Sequence, residues 1–223
     1  MFINTLSVIL LSVIPIQSFT NVNSATDAVF TKHEKVALEA SGMIATSNGF
    51  GTGTCFEYKN RKIILTAKHV IKENADNNEK IYFLQNNKTI ELSPLKMYEN
   101  IDLATLDIKA DVEDVKCNSF TPLKSIPKVF GESVFYVGYP NGVGPVRISG
   151  EIANYFIEED MYIMQSFAWP GASGSAVYDR KGKIIGVVSA VQTAIFNPSI
   201  LLENIVYVTS IRNIFDDQDP KLK

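Results

Sequence analysis

Histidine is almost missing from this chain: His33 and His69 are the only two among 223 residues. With Cys55 and Cys117 as the only cysteines, no Cys/His cluster with metal-ligand spacing can be assembled, and the sequence requires neither a metal nor another cofactor. Charge of one sign is lacking too. A formal net charge of -3, from 21 basic and 24 acidic residues, leaves no basic stripe to track a phosphate backbone, which excludes a nucleic-acid partner. No apolar run is long enough for a confident bilayer span.

The apolar segment Leu6–Ile14 is closed by Pro15 and a small polar stretch, and no charged residue precedes Asp27. Its length suits the core of a secretory signal peptide over residues 1–24, cut after Ser24 or alternatively after Ser18, although Met1–Thr5 lack the usual basic residue. The expected mature protein is secreted or periplasmic, with no stable membrane insertion after signal removal.

Helical periodicity is scarce, and only 31–40, 69–72 and 211–215 suggest short helices. Short apolar runs broken by Gly, Asn and Pro recur instead, at 43–46, 54–58, 62–66, 81–85, 103–108, 133–137, 146–154, 161–165, 176–178, 184–190 and 205–208. Such spacing predicts an all-β sandwich or barrel. Residues 111–128 mix charges with Pro122 and Pro127 and mark a linker. The expected organisation is a first β unit over 25–120, a second over 121–215 and a tail over 216–223.

Three motifs carry chemistry: Thr66-Ala67-Lys68-His69, Ile101-Asp102-Leu103-Ala104 and Pro170-Gly171-Ala172-Ser173-Gly174-Ser175. A serine hydroxyl becomes a nucleophile when an imidazole takes its proton and a carboxylate orients that imidazole. Here the three groups run His69, Asp102, Ser173. An α/β-hydrolase is excluded, because both histidines precede the serine and residues 171–175 lack the final glycine of a nucleophile elbow. Asp102 interrupts a run that otherwise wants burial, and an imidazole N–H gives such a carboxylate a partner. Asp107 is its rival, Ser175 is the rival of Ser173, and His33 reads as an ordinary surface or core residue.

The His, Asp, Ser order and the sequences around it resemble the chymotrypsin-like serine endopeptidases, in particular the compact bacterial and viral branch with HtrA-like and glutamyl-endopeptidase-like enzymes. Residues 49–56, 131–142 and 183–190 extend the resemblance beyond the triad. It implies two six-stranded antiparallel β-barrels of chymotrypsin type, with the active site in the cleft between them. It also implies roles: His69 as general base, Asp102 as its orienter, Ser173 as nucleophile, and the backbone N–H groups of Gly171 and Ser173 as oxyanion hole. Ala172 stands where zymogen-type members have an aspartate, so activation by a newly cut amino terminus is not expected. Pocket walls are expected from residues 165–170 and 189–192, with Phe167, Ala168, Ser189, Ala190 and Val191 facing the substrate. None is acidic or a histidine, which favours a protein or peptide substrate with a small or medium apolar side chain before the scissile bond. Two other readings are a non-catalytic homologue serving as a binding module and a viral or phage processing protease.

Cys55 lies in an apolar run, where a thiol packs as a small hydrophobe, and a disulfide would need Cα atoms within about 7 Å. Two unpaired thiols are expected.

Overall fold

The computed structural model describes residues 29–108, 114–119, 130–194, 197–212 and 214. The expected signal peptide at 1–24 and tail at 216–223 lie outside these residues, as does the expected boundary at 120/121. Helix α1, Lys32–Ala40, is started by a capping box in which the Thr31 hydroxyl accepts from the Glu34 amide and the Glu34 carboxylate accepts from the Thr31 amide.

Strands β1 (Ser41–Thr46), β2 (Gly49–Tyr58), β3 (Arg61–Thr66), β4 (Ile81–Gln85), β5 (Lys88–Met97) and β6 (Ala104–Ile108) run in the order β1-β4-β5-β6-β3-β2. An antiparallel β1–β2 pairing closes them into a barrel. Two of its hairpins turn on residue pairs with positive φ, Lys59-Asn60 and Asn86-Asn87, the backbone that two-residue turns demand. Helix α2, Lys68–Asp76, leaves the end of β3. A short β7, Asn118–Ser119, lies parallel to β2.

The second barrel takes β8 (Ser133–Gly138), β9 (Val146–Phe156), β10 (Met161–Gln165), β11 (Ala176–Asp179), β12 (Ile184–Ala194) and β13 (Asn197–Ser210), closed in the order β10-β13-β12-β11-β8-β9. Each barrel has its own core, around Ile44, Ile64 and Phe83 in the first and Tyr136, Tyr162 and Val177 in the second. A third cluster joins them, with Phe56, Leu65 and Leu103 from one side meeting Phe135, Val137 and Tyr178 from the other. Burying these apolar faces against each other brings the end of β3 beside the β10–β11 loop.

Helix α1 ties the barrels together as well. It precedes the first barrel, yet Glu34 pairs with Arg147 of β9 at 2.5 Å and the Arg147 guanidinium lies over the Phe135 ring.

Four sequence expectations change. Cys55 and Cys117 form a disulfide, their Cα atoms 4.5 Å apart, in place of two free thiols. The cause is β7: pairing Phe56 with Asn118 sets Cys117 alongside Cys55, and Gln85 holds the same segment by exchanging two 2.9 Å hydrogen bonds with the Lys116 backbone. Strand β5 was not expected, because its polar residues and Pro94 hide the buried Ile90 and Leu92; a register shift after Pro94 accommodates the missing donor. Helix α2 is longer than the expected 69–72. The expected helix at 211–215 is a single turn, Ile214 N–H to Ile211 O, with Phe215 outside the described residues.

Candidate active site

His69 is the second residue of α2, lifted to the barrel rim by the apolar strand β3. Asp102 sits just before β6, the neighbour of β3. The His69 ring Nδ1 lies 2.7 Å from one Asp102 carboxylate oxygen, and the His69 backbone N–H donates to the other at 2.9 Å. Burial raises the Asp102 carboxyl, but the hydrogen bonds and charge of His69, with Lys68 nearby, outweigh it and hold the group below the ordinary aspartate value. An ionised carboxylate only accepts, so the ring proton resides on Nδ1 and the Nε2 lone pair is left free.

Ser173 stands in the loop between β10 and β11, packed onto the strand–helix junction that carries His69. A Cβ added at Gly174 would lie 2.3 Å from Thr66 Oγ1 and 3.2 Å from the Ala67 nitrogen, so only glycine permits this approach. At Gly51 a Cβ would lie 2.7 Å from the Val70 side chain and 3.0 Å from the Ser173 carbonyl oxygen. Among the described residues the hydrogen bonds of the His69 ring reach Asp102 and not Ser173.

The turn before the serine leaves two donors free. The Ala172 amide bonds to Trp169 O, the Gly174 amide to Val188 O and the Ser175 amide to Ala172 O, whereas the amides of Gly171 and Ser173 bond to no described residue. The Pro170 carbonyl accepts from the Asn141 amide at 2.6 Å, so the opposite edge of that trans peptide carries the Gly171 N–H.

Beside Ser173 opens a cleft of about 220 Å³ lined by Ala168, Trp169, Pro170, Ala172, Ser173, Val188, Ala190 and Val191. The lining has no charged side chain. Ala168, Ala190 and Val191 stand where the sequence placed them. Phe167 and Ser189 do not line it: Phe167 is 56% exposed and stacked on Trp169, and the buried Ser189 hydroxyl bonds Thr209 Oγ1 at 2.5 Å inside the barrel wall.

Residues 51–187 match the family model described as the trypsin-like peptidase domain. The chain belongs to that family. Among curated proteins, an HtrA-like serine protease of Staphylococcus aureus strain bovine RF122 / ET3-1 is 30% identical over 91% of this chain. The chain spans about 28% of that relative's length. Among solved structures, an inactive form of Rv3671c from M. tuberculosis H37Rv superposes with a TM-score of 0.65 at 17% identity, covering 84% of this chain and 88% of that one. A serine endoprotease from Yersinia pestis gives 0.64 at 21% identity, covering 82% and 63%. At these identities the structural likeness establishes the two-barrel fold.

Within this trypsin-like frame the rivals fall elsewhere. Asp107 pairs with Arg61 at 2.9 Å, Ser175 is fully buried, and the His33 ring packs against Gly182, where a Cβ would come within 2.8 Å of it. Trp169 and Pro170 fall within the expected wall segment 165–170 without having been singled out, and sequence reading missed Val188. Trp169 is the only tryptophan and follows the expected wall residue Ala168, a signal that was present but unused.

Proposed function

We propose that this chain is a serine endopeptidase that cleaves peptide bonds through an acyl-enzyme on Ser173. The observation that carries the reading is the His69–Asp102 pair beside a serine whose turn holds two unpartnered N–H groups. His69 Nε2 takes the Ser173 proton as Oγ bonds to the scissile carbonyl carbon, and the carbonyl oxygen becomes an oxyanion between the Gly171 and Ser173 amides. Collapse breaks the C–N bond, and His69 returns the proton to the leaving amine. Water then repeats the sequence on the ester and frees Ser173. The Ser173–His69 hydrogen bond forms when substrate fills the cleft, since catalytic hydrogen bonds are often incomplete in enzymes without ligand.

The cleft admits a small or medium apolar side chain before the scissile bond. Burying a Lys, Arg or Glu there without a counter-charge costs several kcal/mol, more than the roughly 1–3 kcal/mol that extra methylenes gain. The apolar amino-terminal segment and the Cys55–Cys117 disulfide support export to an oxidising compartment. No helix among the described residues is long and apolar enough to cross a membrane.

A fluorophosphonate, which reacts only with an activated serine, tests the reading. Labelling at Ser173 with cleavage of an apolar peptide is the expected result. A folded chain that neither labels nor cleaves would instead be a binding module on the same fold.

A further inference from the structure

Thr52 is fully buried on β2, at the seam where the two barrels meet. All of its polar groups are committed. Its hydroxyl donates to the Gly171 carbonyl at 2.8 Å, and its amide donates to the Ser173 carbonyl at 2.8 Å. Its hydroxyl also accepts the Tyr139 amide at 3.0 Å, and its carbonyl accepts the Thr66 hydroxyl at 2.8 Å. Gly171 and Ser173 are the residues flanking Ala172 whose N–H groups bond to no described residue, and both turn their carbonyls to Thr52.

That arrangement has a mechanical effect. Peptide planes are rigid, so holding a carbonyl fixes the plane that contains it. Thr52 holds the Gly171–Ala172 plane and the Ser173–Gly174 plane. Between them lies the Ala172–Ser173 plane, which bears the Ser173 N–H. Gly171, at φ +94, has a backbone with little intrinsic preference and needs an outside contact to stay in one conformation. The hydroxyl is a one-way link: a carbonyl only accepts and an N–H only donates, so its single proton goes to Gly171 while the Tyr139 N–H takes one of its lone pairs.

We propose that Thr52 is a positioning residue of the oxyanion hole: its hydroxyl, supplied by the first barrel, sets the turn of the second barrel that aims the Gly171 and Ser173 amides. The proposal rests on Ser173 being the nucleophile. A hydroxyl at this position therefore acts on the transition state and leaves ground-state binding in the apolar cleft alone.

The test compares full-length wild type with Thr52→Val, Thr52→Ala and Thr52→Ser on one apolar peptide substrate and on a peptide aldehyde, whose hemiacetal oxygen takes the oxyanion's place. The two variants without a hydroxyl should lose about 10- to 100-fold in kcat, less than the ~10²–10³ lost with a donor itself, while KM stays within about twofold. Aldehyde affinity should fall by the same factor as kcat/KM, and Thr52→Ser should regain kcat to within about threefold of wild type. Circular dichroism identifies the folded variants, and either of the hydroxyl-less pair suffices. Wild-type kcat in a folded Val or Ala variant, a loss confined to KM, or a Ser variant as slow as the Val variant overturns the proposal. So does failure of both Val and Ala variants to fold, which makes Thr52 a stability residue. A wild type that neither cleaves nor takes a fluorophosphonate is a different outcome and overturns the assignment of Ser173.

Discussion

Asp102 accepts two hydrogen bonds from one residue, His69: the ring Nδ1–H at 2.7 Å and the backbone N–H at 2.9 Å. The pair fixes both the tautomer and the ring plane. In Asp102→Asn the amide NH2 can face the ring and stabilise the wrong tautomer, so kcat on a peptide substrate should fall by about 10⁴. Asp107→Asn loses only a half-exposed pair with Arg61 and should stay within about threefold. The reverse ranking would move the orienting role to Asp107.

The same pair sets a pH dependence of stability. The Asp102 carboxyl lies below its ordinary value in the folded chain, so its stabilisation is complete above the unfolded value of about 3.9 and is lost as pH falls through the lowered folded value. Denaturant titrations of wild type and Asp102→Asn from neutral to acidic pH should show their stability difference shrinking toward acid. A difference that grows on acidification would contradict this sign.

Ser173→Ala should abolish peptide hydrolysis, with a loss on the order of 10⁴ to 10⁶, and leave the fold intact. Ser175→Ala should do the opposite. Its hydroxyl is buried and bonds to no described residue, so removal should leave activity near wild type and keep stability or raise it by about 1 kcal/mol. Activity and melting temperature on both variants decide which serine reacts.

Reducing Cys55–Cys117 should destabilise the chain by roughly 4 kcal/mol, the chain-entropy value for a loop of 62 residues. Thermal melts with and without reductant measure it, with Cys55→Ala/Cys117→Ala as the matching variant. Equal melting temperatures would show that the bridge adds nothing.

Ala190 lines the cleft beside Ser173. Ala190→Phe should fill that space and narrow the residue accepted before the scissile bond to Gly or Ala, lowering kcat/KM for a valine or leucine there by about 10-fold or more. A peptide library read by mass spectrometry gives the profile. Dominant cleavage after Arg, Lys or Glu in wild type would place the pocket elsewhere.

The three residues of the proposed triad stand out in the sequence because each sits in a local pattern that ordinary packing does not produce: a histidine closing an apolar strand, an aspartate inside an apolar run, a serine between glycines. What stayed hidden depends on contacts distant in sequence. Thr52 reads as one small residue in Gly51-Thr52-Gly53 until the second barrel is laid against it. Ser189 was expected at the cleft from the family resemblance, but a register shift between Val188 and Ala190 interrupts the strand there and its hydroxyl bonds Thr209. The Cys55–Cys117 bridge depends on a two-residue parallel pairing with no periodic signal.

Helix α1 docks on the second barrel through Glu34 and Arg147 while leading into the first. In synthesis from the amino end it emerges long before β9 exists, so it waits without its partner while the first barrel is made. Its clasp shuts only when the second barrel is in place, and the docked helix is therefore a mark of a finished molecule. A chain interrupted before Arg147 would carry the histidine and aspartate with this helix lacking its clasp on the second barrel.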